Sequence, residues 1–206
     1  MQWNDHSKLK GNHALLSPSQ PAWLKYDEVR LLEKYNTSMA AAKGTALHEI
    51  AEDLIRNRIK LNKNDKHLIQ FELLKKGIPG DVINPDECLA TLLPYVNDAI
   101  NYCLTPEVIL YYSEFCYGTT DAIGFRNMRL RIQDLKSGET PAKIEQLMIY
   151  AGLFCLEYDI DPTKIQTSLG IYQKGEVLED EPSAMDIRDV MDNIVISSKV
   201  LIKEKR

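Results

Sequence analysis

Long apolar runs are missing from this chain. Stretches such as Leu147 to Tyr150 extend over a few residues only, far short of the roughly 20 that a membrane-spanning helix requires, so no membrane span is expected. The first residues, Met1-Gln2-Trp3-Asn4-Asp5, lack both a charged region leading into an apolar one and a small-residue cleavage site. Export is therefore not expected, and a cytoplasmic setting is. Cysteine is sparse: Cys88, Cys103, Cys116 and Cys155 stand singly, with no C-x-x-C pair to suggest zinc or a redox centre. They are expected to be reduced, mainly core-filling thiols. No Walker A sequence occurs, so any ATP-driven unwinding would have to come from a partner. Positive charge does not dominate either, since 25 Lys and Arg face 30 Asp and Glu for a net charge of −5. That balance argues against non-specific coating of nucleic acid but leaves room for a local basic cleft.

What is present is an ordinary globular composition, 44% hydrophobic and 27% charged over 206 residues, which excludes collagen, coiled coil and disorder and fits a single domain over 1–206. Charge is unevenly spread. Residues 56–76 and 125–143 are locally positive, while the segment from Glu176 to Asp192 carries seven carboxylates against Arg188 alone.

A proline-bracketed start at Ser17-Pro18-Ser19-Gln20-Pro21 predicts a short helix carrying Trp23, Leu24, Leu31, Leu32 and Tyr35. A second helix is expected after Gly44-Thr45, because Leu47, Ile50, Ala51, Leu54, Ile55 and Ile59 fall on one 3.6-residue stripe. A further helix should span Asp65 to Lys76, closed by Gly77 and the Pro79-Gly80 turn. Asn84-Pro85 reads as an N-cap and first-turn proline for a helix through Cys103, with Pro94 a site for a kink. From Glu107 the composition changes. Val108–Tyr117, Gly118–Gly124 and Met128–Leu135 suit strands of an antiparallel meander. A helix over Pro141–Tyr158, a strand over Lys164–Tyr172 and a final helix from Ser183 to about Lys199 complete the reading. The expected class is α/β (α+β): a helical part over about 17–104, a sheet core over about 107–173 and a C-terminal helix over about 183–200.

Four clusters could carry chemistry. In Met128–Gly138, alternation puts Leu130, Ile132, Asp134 and Lys136 on one side of a strand and Arg129, Arg131, Gln133 and Leu135 on the other. Asp134 and Lys136 thus prolong an apolar file. Gly118-Thr-Thr-Asp121-Ala-Ile-Gly124 puts a second carboxylate on the preceding strand. Two such groups held together repel, and a hard divalent cation relieves them. Gly44-Thr-Ala-Leu-His48 sets an imidazole beside an apolar stripe, and Gln146 and Tyr150 stand one helical turn apart. Taken singly, each has an ordinary structural reading: a frayed strand end, a turn aspartate, a histidine near a helix start, a packed tyrosine. A zinc hydrolase built on His48 and Glu52 is a remote alternative, since the second histidine of H-E-x-x-H is missing.

Taken together and in this order, G-x-x-x-H (44–48), G-x-x-D (118–121), D-x-K (134–136) and Q-x-x-x-Y (146–150) resemble the PD-(D/E)xK nuclease superfamily. The likeness is to its RecB-like exonuclease branch, including phage and CRISPR-associated members. It extends from about Ser17, where Leu16-Ser-Pro-Ser19 followed by Trp23-Leu24 looks like that branch's opening, to about Tyr172. Two departures stand out. Thr120, not proline, precedes Asp121, and a single cysteine, Cys155, follows Lys136, so no iron-sulfur cluster is expected.

The resemblance implies a restriction-endonuclease-like core and metal-dependent hydrolysis of DNA phosphodiester bonds with Mg²⁺ or Mn²⁺. It implies His48, Asp121, Asp134 and the Leu135 carbonyl as ligands, Lys136 as the catalytic amine, and Gln146 and Tyr150 as substrate-positioning groups. Glu114 would add an outer or second-metal carboxylate. Lys60, Lys63, Lys66, Arg129 and Arg131 are candidates for phosphate contacts. DNA ends are the implied substrate, a recombinase, annealing protein or helicase the implied kind of partner, and an oligomer is compatible with it. A catalytically silent DNA-binding or adaptor protein on the same fold is the competing expectation.

Overall fold

The computed structural model describes residues 4–9, 14–138, 140 and 143–205. The first three residues and the helix start expected at Pro141 lie outside them. The chain forms two compact units, residues 1–42 and 43–206.

The first unit contains 3-10 turns at Ser7–Leu9 and Pro21–Lys25 and the beginning of helix α1 (Glu28–Arg56). The Trp23 indole donates to the Ser17 carbonyl at 3.0 Å, and the Ser17 and Ser19 hydroxyls are 2.8 Å apart, which closes the Ser-Pro-Ser segment into a turn. The expected short helix is therefore two elements. Asp27 separates them by accepting the Arg30 N–H at 2.9 Å, a side-chain cap for α1.

The helix start expected at Gly44-Thr45 is also different, because α1 runs through it unbroken. A glycine inside a helix costs about 1 kcal/mol relative to alanine. Met39, Ala40, Ala41, Ala42 and Lys43 before it, and Ala46 and Leu47 after it, are mostly good helix formers and offset that cost.

The second unit is a five-stranded sheet in the order β1 (Thr105–Ser113), β2 (Cys116–Arg126), β3 (Arg129–Lys136), β4 (Gln166–Gln173), β5 (Glu176–Asp180). All neighbours are antiparallel except β3 and β4, which are parallel and joined through α4 (Glu145–Glu157). The run Val108–Tyr117, expected as one strand, contains the β1–β2 turn. Strand β5 has no counterpart in the sequence reading, because its Glu-Val-Leu-Glu-Asp pattern is largely exposed and acidic. Helices α2 (Lys66–Lys75) and α3 (Pro85–Asn101) fall where their caps predict, with the Asn84 side chain accepting the Glu87 N–H, and α3 continues through Pro94.

Alternation divides the two sides of β3. Leu130 and Ile132 join Leu147, Ala151, Phe154, Leu169 and Ile171 in the core beneath α4. Gln133 and Leu135 face the α3 side, where Gln133 donates to the Tyr172 hydroxyl at 2.8 Å and that hydroxyl reaches Asp98 at 2.9 Å. Helix α5 (Ala184–Glu204) packs on α4 and starts with a capping box between Ser183 and Asp186. The result is a mixed α/β architecture, as the sequence predicts. No helix among the described residues is long and apolar enough to cross a membrane.

Candidate metal centre

The β2–β3 ladder runs from the turn to Ala122–Gln133 and goes no further. At that point the two strands part, and the next residues are Asp121 and Asp134. The Asp121 carboxylate fills the gap: its Oδ2 accepts the Leu135 N–H at 2.7 Å, a bond that a β2 carbonyl would otherwise make. In an extended residue the N–H and C=O project to the same edge of the strand, so the Leu135 carbonyl faces Asp121 as well.

β2 is irregular at this position. A Cβ on Gly118 would meet the Tyr150 ring on α4 at 3.0 Å, whereas a Cβ on Gly124, six residues on and of the same parity, would meet Leu104 beyond the end of α3 at 2.8 Å. Alternation therefore breaks between them. The ladder to β1 skips the same point: Pro106 pairs with Ala122 and Val108 with Thr120, while Glu107 between them has φ of 54°. A non-glycine residue in that left-handed region is strained. The strain brings Glu107 to Asp121.

His48, on the third turn from the C-terminal end of α1, completes the group. Its Nδ1 is 3.5 Å from Asp121 Oδ2, and ligand atoms of His48, Glu107 and Asp121 all lie within 4.8 Å of one another. The spacing of G-x-x-x-H acquires a reason here, since the Ser137 hydroxyl, just past Lys136, lies 2.7 Å from where a Cβ on Gly44 would be. Gly44 lets the helix approach the end of β3 with His48 one turn further on.

Asp134 is 3% exposed. Lys136 Nζ lies 3.0 Å from its Oδ1 and 2.8 Å from its Oδ2, but only the Oδ1 contact has hydrogen-bond angles, and Oδ2 is buried without a donor. The amine is shared, because Nζ also donates to Gln146 Oε1 at 3.1 Å. Gln146 bonds the Tyr150 hydroxyl, which donates to the Thr119 carbonyl at 2.6 Å, two residues from Asp121. A chain of hydrogen bonds thus runs from β3 through α4 to β2. Gly118 permits it by leaving room for the tyrosine ring.

The electrostatics are those of clustered acids. Burial, with the Asp121 charge adding to it, raises Asp134 above the ordinary carboxylate value despite Lys136 and His48. Burial and Asp121 likewise raise Glu107. For His48, burial works against the cation, but the bond to Asp121 and the charges of Asp121, Asp134 and Glu107 outweigh it and raise the imidazole. Carboxylates that repel in a partly dry site, with ligand atoms of Glu107, Asp121 and His48 all within 4.8 Å of one another, fit a cation. The donors on offer, carboxylate oxygens with one imidazole, are those of a divalent metal site.

Not every predicted residue joins. Glu114 stands in the β1–β2 turn between Ser113 and Cys116, where Cys116 is itself five residues, about 17 Å, along β2 from Asp121, and it pairs with Lys205. The carboxylate that β1 does contribute is Glu107. Its only sequence signal is its register, since it lies opposite Asp121 once the hairpin is paired. Glu52 is tied to Arg56, four residues on, at 2.7 Å. Among the basic candidates, Lys66 is paired with Asp86 and Lys60 donates to Asn101.

Comparison with curated proteins gives no match, and neither does comparison with solved structures. A protein family described as a protein of unknown function, DUF2800, matches residues 13–173, which span α1 to β4 and so include His48, Asp121, Asp134, Lys136, Gln146 and Tyr150. The chain belongs to the DUF2800 family.

Proposed function

We propose that this protein is a metal-dependent nuclease that hydrolyses DNA phosphodiester bonds, an exonuclease of the RecB-like kind. The observation that carries the reading is the placement of Asp121 and Asp134 on the two residues just past the last β2–β3 pair, with His48 and Glu107 gathered at Asp121 and Lys136 against Asp134. Asp121, Asp134 and Lys136 are charged groups drawn from adjacent strands, His48 comes from a separate helix, and the order of these four along the chain is the one that the superfamily resemblance implies.

Asp121, Asp134, His48 and the Leu135 carbonyl would hold Mg²⁺ or Mn²⁺, with Glu107 as an additional carboxylate. When bound, the ion supplies Lewis acidity, activating water and neutralising charge on the phosphate. Lys136 has three donors and uses two of them on Asp134 and Gln146, so a third is left for a phosphate oxygen or the attacking water. Gln146 holds that amine in place, and Tyr150 braces α4 against β2. Arg56 ties Glu52 back along α1, which weighs against a zinc hydrolase using that glutamate as base.

Digestion of end-labelled linear, circular and single-stranded DNA in Mg²⁺, Mn²⁺ or EDTA tests the proposal. Cleavage that needs metal and is lost in Asp134→Ala supports it. Wild-type protein that cuts none of these substrates in either metal overturns it.

A further inference from the structure

The turn of the β2–β3 hairpin carries a feature that the metal centre does not use. Arg126 and Arg129 pair directly across the hairpin, and Arg131, opposite Gly124, follows on the same strand. Like charges placed directly opposite destabilise a ladder. Neither arginine is neutralised: among the described residues, none of the three has a carboxylate within ion-pair distance. In a chain of net charge −5, three guanidinium groups without counter-ions at one place stand out.

They are also held in position. Gln166 Oε1 accepts from Arg129 Nη2 at 2.6 Å and Nε at 3.2 Å, and the Arg131 guanidinium lies 3.8 Å above the Tyr102 ring. Between Arg126 and Arg129 the turn is Asn127-Met128, with φ of 51° and 57°. Two-residue turns of this kind favour Asn-Gly, so a methionine in the second position is a local cost. The three arginines, Asn127, Tyr102 and Gln166 line a cavity of about 320 Å³, and no acidic residue lines it. That volume is within the range of small-ligand pockets.

We propose that this cavity is a second binding site, which takes a phosphate group of a nucleic acid strand. Guanidinium forks match phosphate oxygens two at a time, and a bound phosphate would relieve the Arg126–Arg129 repulsion. The anion site follows from the cavity itself, while the choice of nucleic acid as its source rests on the nuclease reading. Arg129 and Arg131 project from the side of β3 opposite Asp134, and Arg129 is five residues, about 17 Å, away along the strand. The cavity therefore grips the substrate away from the bond to be cut and touches no group of the metal centre.

The test uses the full chain in EDTA, with a fluorescein-labelled single-stranded oligonucleotide titrated at several salt concentrations. Replacing both Arg126→Gln and Arg129→Gln should weaken binding about tenfold or more and flatten the plot of log affinity against log salt by about 0.7 for each phosphate that is no longer neutralised. The double variant should melt no lower than wild type, because a like-charged pair is gone. If it does not fold, phenylglyoxal modification of wild-type protein gives the answer: the oligonucleotide should protect Arg126, Arg129 and Arg131.

Unchanged affinity and slope in a folded variant, or no protection in wild type, overturns the proposal. So does binding of phosphatidylglycerol vesicles or inorganic phosphate at this cavity without the oligonucleotide. The two proposals fail separately. Loss of binding in the arginine variant of a protein that never cleaves DNA leaves the cavity standing and removes the nuclease, whereas normal cleavage with unaltered binding does the reverse.

Discussion

Asp121 Oδ2 accepts the backbone N–H of Leu135 at 2.7 Å, so a side chain on β2 replaces a main-chain partner on β3 at the point where the two strands separate. One carboxylate therefore has two tasks, closing the sheet and joining His48 and Glu107 in the candidate metal site. Substitutions at Asp121 can separate them. Asp121→Asn keeps an acceptor for Leu135 and should fold with little loss of stability, whereas Asp121→Ala leaves that N–H unmatched and should cost about 1–3 kcal/mol. Mn²⁺ should raise the melting temperature of the wild type and leave that of both variants unchanged. Thermal melts with and without the ion measure the two effects independently.

Asp134 has the opposite balance. Its folded pKa is raised above 3.8 by burial and by Asp121, and a carboxylate raised in this way subtracts stability as pH climbs through 3.8 and the folded value. At neutral pH, metal-free Asp134→Asn should melt higher than metal-free wild type and show no shift with Mn²⁺. A lower melting temperature for the variant at pH 7, with the wild-type shift retained, would contradict the placement of the cation.

On the proposed reading, His48 sets the pH dependence of metal affinity. The imidazole is held above its ordinary value of 6.5, so without metal its ion pair with Asp121 contributes stability below that value and loses it as pH rises through the folded pKa. A metal needs the neutral ring. Mn²⁺ affinity measured by calorimetry should therefore fall as pH is lowered through that raised value, and the fall should be smaller in His48→Asn.

Lys136→Ala should leave the fold and Mn²⁺ binding in place and lower kcat by about 10²–10³-fold, the usual loss for one electrostatic donor at a reacting centre. Single-turnover digestion of labelled DNA reads this directly. Equal rates for variant and wild type would remove the amine from the chemistry.

Gly118 leaves room for Tyr150, whose ring lies 3.0 Å from where a Cβ on residue 118 would be, so a side chain there makes the ring give way. Gly118→Val should displace Tyr150, break its bond to the Thr119 carbonyl and cost about 1–3 kcal/mol. Tyr150→Phe loses the same hydrogen bond without the overlap and should cost about 1 kcal/mol. Denaturant melts of the two variants separate crowding from bonding.

Local chemistry was enough to place much of this protein from its sequence. The Asn84-Pro85 cap, the period-2 runs around Ile123 and Ile132 and the 3.6-residue stripe from Leu47 are short-range signals, and the elements form where those signals stand, except that Ile59, expected on the stripe, lies exposed beyond the end of α1 at Arg56. The residue types and order that single out His48, Asp121, Asp134, Lys136, Gln146 and Tyr150 as candidates can likewise be read along the chain. Tertiary structure decided what depends on partners distant in sequence. It made α1 continuous through Gly44, used the hairpin register and a strained φ to bring in Glu107, left Glu114 in a turn with Lys205, and gathered around one cavity three arginines that have no carboxylate partner among the described residues. A linear chain specifies which groups are available, but register, bulges and the close approach of backbones determine which of them meet.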